Sequence, residues 1–218
     1  MTHTLHRRGD HESLSRDFVI VSCSAKGFNN HVYAEWAREF ARICLKHNPV
    51  NFGDMKTGNF LYLDPEHIIE EGISNNTIVQ ITYDSKEKVV NLMKELKEAD
   101  TGVSVVISGI HEIVDEISRE AGLGEHVHTR EYSLDTHGTT EKLPEYEVME
   151  FHTMCGHAMI SEELIRDMIK DVKLGRQTPY EASVLMGKCC SCGNYNLTRS
   201  VELLEKNLPF WTVDVPSY

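Results

Sequence analysis

The chain lacks both long hydrophobic runs and an apolar leader. It has 218 residues, of which 40% are hydrophobic, yet no run approaches the ~18 consecutive apolar residues that a membrane span needs. The N-terminal stretch MTHTLHRRGDHESLSRD contains no apolar segment of the kind found in secretory signal peptides. The sequence therefore predicts a soluble, cytoplasmic globular protein that has no membrane partner.

Positive charge is also scarce, since 22 Lys and Arg residues face 34 Asp and Glu residues and the formal net charge is −12. This deficit argues against a nucleic acid as partner, because such binding depends on basic surfaces. The chain does contain twelve histidines and six cysteines. In a reducing compartment, cysteines more often bind metals, react or pack in the core than form disulfides.

The first 150 residues alternate between short apolar runs and amphipathic segments. Such alternation is typical of a sheet crossed by helices, and the apolar periodicity separates the two. It predicts an α/β or α+β domain over residues 1–150, with a mixed sheet, crossover helices and a polar N-terminal arm. The predicted strands are 17–22, 78–83, 103–107, 126–133 and 145–151, and the predicted helices are 31–47, 86–99 and 110–121.

Residues 151–218 have only helical periodicity. Helices are predicted over 159–174 and 179–187, and a third begins near Asn196. Thr178 and Glu181 flank Pro179 in the pattern of a capping box that starts the second of these helices. We expect this helical, cysteine-bearing element to pack on the same core as the sheet.

The six cysteines divide into two and four. Cys23 and Cys44 lie in apolar patterns typical of packing residues. The other four are Cys155 in one glycine-containing loop and Cys189, Cys190 and Cys192 in another. Because helix 159–174 leads away and helix 179–187 folds back, the two loops are predicted to meet.

Both loops precede predicted helices, whose N-termini favour thiolates. We therefore predict a metal centre with Cys155, Cys190 and Cys192 as ligands, completed by Cys189, His152 or His157. Three thiolates around a [4Fe–4S] cluster leave one iron open as a Lewis acid, which suits a lyase or hydro-lyase. Four closed ligands suit zinc in a non-catalytic regulatory or interaction domain.

The run Met154-Cys155-Gly156-His157-Ala158 resembles the first catalytic-cysteine loop of the proline racemase family. The resemblance implies a metal-free racemase or isomerase in which Cys155 exchanges a proton and His157 is its loop neighbour. It covers about five residues. The family's second motif, Cys-Gly-Thr-Gly, is absent, and the chain is short for that two-lobed fold.

Two further loops and the N-terminal arm carry groups suited to a small anionic metabolite. Lys26 and Asn29 follow the first predicted strand, where open α/β sheets commonly bind ligands. The loop 51–59 contains Asp54, which we expect to orient Lys56 at the catalytic site. The predicted substrate-binding residues are Lys26, Asn29, Lys56, Asn59, Arg7 and Arg8. The composition is compatible with a homo-oligomer.

Overall fold

The computed structural model describes residues 4–125, 127–209 and 211. Helices and a five-stranded sheet alternate in the first part of the chain, and helices alone follow. The strands are β1 (Phe18–Cys23), β2 (Asn51–Asp54), β3 (Gly58–Asn59), β4 (Ile78–Tyr83) and β5 (Val106–Ser108). The α-helices are α1 (His11–Leu14), α2 (Tyr33–Lys46), α3 (Pro65–His67), α4 (Lys86–Ala99), α5 (His111–Glu120), α6 (Tyr146–His152), α7 (Glu162–Lys173), α8 (Pro179–Lys188) and α9 (Leu197–Asn207).

The sheet has the strand order β3-β2-β4-β1-β5, and the described pairs are all antiparallel. β1 and β2 lie on either side of β4 and run in the same direction, joined by α2. β4 and β5 flank β1 in the same way and are joined by α4. The predicted crossover helices are therefore present, and the topology is the split β-α-β arrangement of ferredoxin-like folds.

The two crossover helices cover one face of the sheet. Alternate residues of the strands point to this face and pack with the apolar stripes of α2 and α4. Ile20 pairs with Ile81, which also pairs with Phe52, so three adjacent strands contribute fully buried side chains to one layer. Burying each such side chain contributes about 1.5–3 kcal/mol. This layer is the apolar core of the first part of the chain.

The C-terminal helices have an apolar cluster of their own. It combines residues of α6, α7, α8 and α9 with Cys155, Cys190 and Cys192. Between this cluster and the sheet lies a polar layer, in which Gln80 and Thr82 of β4 face the loop that carries the cysteines. The C-terminal element thus packs on the second face of the sheet through hydrogen bonds.

Three local predictions were wrong. Residues 146–151 belong to α6 and Glu145 is its N-cap, because the buried residues Val148 and Phe151 are three apart and Met154 continues this helical spacing. The loop 51–59 forms the β2–β3 hairpin. Residues 127–133 are irregular rather than a strand, and residue 126 lies outside the described part of the chain. Among the described helices, none is long and apolar enough to cross a membrane.

Candidate functional site

The two cysteine-bearing loops meet, as the helical geometry predicts. The thiol of Cys155 is hydrogen-bonded to that of Cys190. The Sγ atoms of Cys190 and Cys192 are 3.8 Å apart, and Cys192 Sγ lies 3.5 Å from His157 Nδ1. Cys155, Cys190, Cys192 and His157 therefore form a continuous row of neighbours, which we call the thiol cluster.

Solvent reaches only one side of the thiol cluster. Cys155, Cys190 and Cys192 are at most 1% exposed, whereas His157 lies on the surface. The loop 156–159 bends sharply here, since Ala158 has a φ of 54°. The imidazole is consequently the exposed member of the thiol cluster.

Hydrogen bonds between the three thiols determine which of them loses its proton most readily. Donation to Cys190, together with burial, raises the pKa of Cys155. Cys190 accepts this bond, which lowers its pKa, but donation to Cys192 and burial outweigh that effect and raise the pKa to about 12. The bond from Cys190 lowers the pKa of Cys192 despite its burial. Cys192 is thus the thiol of the cluster that ionises most readily.

The helix ends beside the cysteines differ from the sequence prediction. Cys155 follows the C-terminus of α6, and Cys190 follows that of α8, whereas α7 and α9 begin several residues after the cysteines. Helix C-termini carry partial negative charge and disfavour thiolates. The positive potential expected from helix N-termini is therefore absent beside Cys155 and Cys190 in the described structure.

Side chains of the sheet hold the loop that carries Cys190 and Cys192. Asn59 donates to the carbonyls of Gly187 at 3.0 Å and Cys190 at 2.8 Å, and Thr82 Oγ1 donates to the Gly193 carbonyl at 2.8 Å. Gly53 of β2 meets Gly193 backbone to backbone, so that a Cβ at either position would collide with the other segment. Strand and loop approach this closely because both residues are glycine.

The N-terminal arm joins the two cysteine-bearing segments through Arg7. Its guanidinium donates to the carbonyls of Met154 and Asn194, which are neighbours of the two loops' cysteines. It also forms a two-pronged ion pair with Asp17 at 2.6 Å. On its other side Asp17 accepts from Arg199, 3.0 Å away. Arg7 therefore clamps protein segments, and its charge is already neutralised by a buried carboxylate.

The other predicted substrate-binding groups do not gather at the thiol cluster. Lys26 and Lys56 are exposed on separate loops, and Arg8 pairs with Asp135 on the surface. Asn29 is buried, where it accepts from the amide of Ala25 and donates to the Gly102 carbonyl. Asp54 accepts hydrogen bonds from the amides of residues 56 and 57, so it stabilises its own turn rather than orienting the Lys56 amine.

Two of the alternative metal ligands have other contacts. His152 Nδ1 lies 2.9 Å from the carbonyl of Ile160, which orients its ring along the 153–160 loop. Cys189 is partly exposed, and its thiol points to the Leu185 carbonyl at 3.7 Å. Burial and the nearby Cys155 raise the pKa of Cys189. Among the alternatives, His157 is the one in contact with the row of thiols.

Within the described residues, no group of three or more His, Cys, Asp or Glu side chains surrounds one point as a bound metal ion would need. The thiols are instead hydrogen-bonded in sequence, each to the next. Their chemistry nevertheless suits a soft or borderline metal, since thiolate and imidazole are the donors that zinc and iron prefer.

The sequence prediction missed the side chains that support the cluster. Asp17, Arg199 and Asn196 form one buried polar network beneath the arm, and Asn59 reaches the cysteine loop from the sheet. A polar residue at the edge of an apolar run, such as Asp17 before β1, is the only local signal for this network.

Comparison with protein-family models, with curated proteins and with solved structures gives no match to this chain.

Proposed function

We propose that this is a metal-binding protein whose single metal ion is held by Cys155, Cys190, Cys192 and His157. The observation that carries the proposal is the meeting of three buried thiols and an imidazole from two distant loops. The polar side chains of Asn59 and Arg7 hold the two loops that carry these groups.

The spacing of the groups favours one ion over a cluster. Tetrahedral zinc binds sulfur at about 2.3 Å and nitrogen at about 2.0–2.1 Å, which separates two sulfur ligands by about 3.8 Å and sulfur from nitrogen by about 3.6 Å. The two separations in the protein are 3.8 Å between Cys190 and Cys192 and 3.5 Å between Cys192 and His157. An iron–sulfur cube stands between its ligands and holds their sulfur atoms farther apart.

The metal would have a structural role in this arrangement. Binding replaces the thiol-to-thiol hydrogen bonds and releases the thiol protons, because thiolates are the ligand form. Cys155 belongs to the α6–α7 connection, whereas Cys190 and Cys192 follow α8, so a shared ion would link both loops of the C-terminal element. Four protein ligands with no open position are typical of structural rather than catalytic zinc.

A second candidate is an iron–sulfur lyase or hydro-lyase that acts on a small anionic metabolite. The exposed position of His157 favours it, because a ligand at the surface can be displaced by a substrate. In this case Cys155, Cys190 and Cys192 would hold a [4Fe–4S] cluster, and the iron near His157 would be the one that meets the substrate.

The deciding experiment is metal and sulfide analysis of anaerobically purified protein. The proposal expects a colourless protein with one zinc ion per chain, or one iron ion and no sulfide. A brown protein with iron and acid-labile sulfide would replace it with the second candidate. Metal-free protein that also fails to bind added Zn²⁺ or Co²⁺ would overturn both and leave Cys192 as a low-pKa thiol beside His157.

Matched cysteine variants test the ligand set. Cys155→Ser, Cys190→Ser and Cys192→Ser should each lose the metal, whereas Cys189→Ser and Cys23→Ser should retain it. Thiolate-to-Co²⁺ absorption in chelator-treated wild-type protein reports the number of thiolate ligands, expected to be three, without relying on variants that fold poorly. Full metal content in Cys192→Ser would contradict the assignment.

A further inference from the structure

A cavity of about 660 Å³ lies between α4, α5 and the edge strand β5. It is enclosed by α5, by the edge strand β5 and by the extended segment 127–131. Its described lining contains no residue of the thiol cluster. Protein interiors are close-packed and seldom hold voids of this size, whereas ligand pockets commonly measure about 300–1,000 Å³.

Two contacts hold the outer wall away from the sheet. Arg130 forms an ion pair with Asp115 of α5 at 2.7 Å, and the ring of Tyr132 stands edge-on to His111, with centroids 4.4 Å apart. Segment 127–131 is therefore fastened to α5 rather than to β5, which pairs only with β1 among the described strands. The cavity is a consequence of this attachment.

The walls of the cavity are mainly apolar. They include Met93 and Leu96 of α4, Val105 and Ile107 beside or within β5, and Leu123 after α5. Apolar walls of this kind take an aliphatic or aromatic body, whose transfer from water supplies most of the binding free energy.

One end of the cavity is suited to an anion. Ser108, Gly109 and His111 line it at the start of α5, and the N-cap residue Ile110 provides no side-chain hydrogen bond to the first turn. Uncapped N–H groups and the helix dipole attract negative charge. Farther along the same helix face is Ser118, which is 7% exposed and lines the cavity. Its hydroxyl has no hydrogen-bond partner among the described residues.

The two acidic residues that line the cavity are paired or exposed, and Glu112 in the first turn of α5 is exposed and outside the lining. Asp115 is paired with Arg130, and Glu131 is exposed. Lys97 adds a cation to the lining, where its amine donates to the Gly122 carbonyl at 2.7 Å. The enclosed surface thus combines apolar walls with donors and no unpaired carboxylate in its interior.

We propose that this cavity binds a small monocarboxylate with an apolar body. The carboxylate would accept hydrogen bonds from the first turn of α5, and the body would lie between α4, β5 and Leu123. This proposal is independent of the metal centre and stands if the thiol cluster binds nothing.

Three probes of one size test the proposal: phenylacetate, 2-phenylethanol and phenethylamine. Amide chemical shifts of the full chain are followed while each is added. Phenylacetate should saturate shifts within residues 104–118 and bind about tenfold more tightly than the alcohol, a ratio within the range of helix-terminus interactions. The amine should bind most weakly. Equal binding of all three, or no saturable shift, would overturn the proposal.

Two variants locate the binding. Ser118→Leu places a large apolar group in the cavity and should abolish phenylacetate binding, whereas Arg119→Leu adds the same side chain on the exposed face of α5 and should leave it unchanged. Leu5→Trp narrows the cavity from the arm and serves as a second blocking variant if Ser118→Leu folds poorly. A folded blocking variant that binds phenylacetate like wild type would contradict the assignment.

Discussion

Asp17 is the residue on which the buried polar network depends. It is fully buried between the guanidiniums of Arg7 and Arg199 and also accepts from Asn196. Burial would raise the pKa of this carboxyl, but the two guanidiniums hold it below its usual range. One ionised carboxylate thereby allows two arginines to be buried, and through Arg7 it keeps the arm against both cysteine-bearing segments.

Asp17→Asn should lower the free energy of unfolding by about 3–5 kcal/mol, because two buried guanidiniums lose their counter-charge. Urea denaturation measures this. Asp135→Asn removes the exposed partner of Arg8 and should cost nothing measurable. Because the folded-state pKa of Asp17 is depressed, the stabilisation that its ionised carboxylate gives to the folded state is fully present above the unfolded-state pKa. It is lost as the pH falls through the folded-state value. Equal stability of the two variants would refute this role.

At the scale of elements, the loop between α8 and α9 is positioned by the sheet. The carbonyls of Gly187 and Cys190 each accept one backbone hydrogen bond, from the amides of Cys190 and Gly193, and each can accept a second. Asn59 supplies both of these second hydrogen bonds from β3, and Asn51 of β2 donates to the Tyr195 carbonyl at 3.0 Å. The hairpin β2–β3 is therefore the part of the sheet that holds Cys190 in place.

Asn59→Ala should lower stability by about 1–3 kcal/mol, since the buried carbonyls of Gly187 and Cys190 each lose their side-chain donor and keep only a backbone one. It should also speed alkylation of Cys190 in the native protein, measured by mass spectrometry. Asn75→Ala is the matched control, because Asn75 bonds backbone groups of the helix layer instead. We expect it to lower stability without changing Cys190 alkylation. Similar alkylation rates in both variants would rule out the positioning role of Asn59.

The whole molecule consists of two apolar clusters joined by a polar layer. Hydrogen bonds across such a layer contribute about 1 kcal/mol each, and the layer forms the junction between the two clusters. The thiol cluster stands beside this junction. A metal there would stabilise the folded state in proportion to its binding free energy.

Metal affinity should depend steeply on pH. Cys155 and Cys190 have raised pKa values and carry protons at neutral pH, so metal binding must release at least these two protons. The apparent affinity for Zn²⁺ should then fall at least about 100-fold for each unit by which the pH is lowered. Competition with a chelator of known affinity at several pH values measures this slope. A slope near zero would contradict ligation by these thiols.

Much of the local structure could be predicted from the sequence. The capping box at Thr178 and Glu181 is present, and the apolar stripes of α2 and α4 were predicted within two residues of their ends. The failures at 127–133 and 145–151 have one cause: short apolar patterns fit a strand or a helix equally, and neighbouring elements decide between them. The meeting of Cys155 with Cys190 was predictable because two helices of known rise joined by a short turn leave little choice.

The sequence alone determined most of the longer helices, the crossover connections and the grouping of the cysteines, because periodicity, capping residues and chain length act locally. Only the tertiary structure decided that the cysteines lie at helix C-termini, that Asn59 and Arg7 support them, and that Asp17 is buried between two arginines. These features depend on polar contacts between residues more than a hundred positions apart. No local pattern records such contacts, because their free energy appears only when the sheet and the C-terminal element pack together.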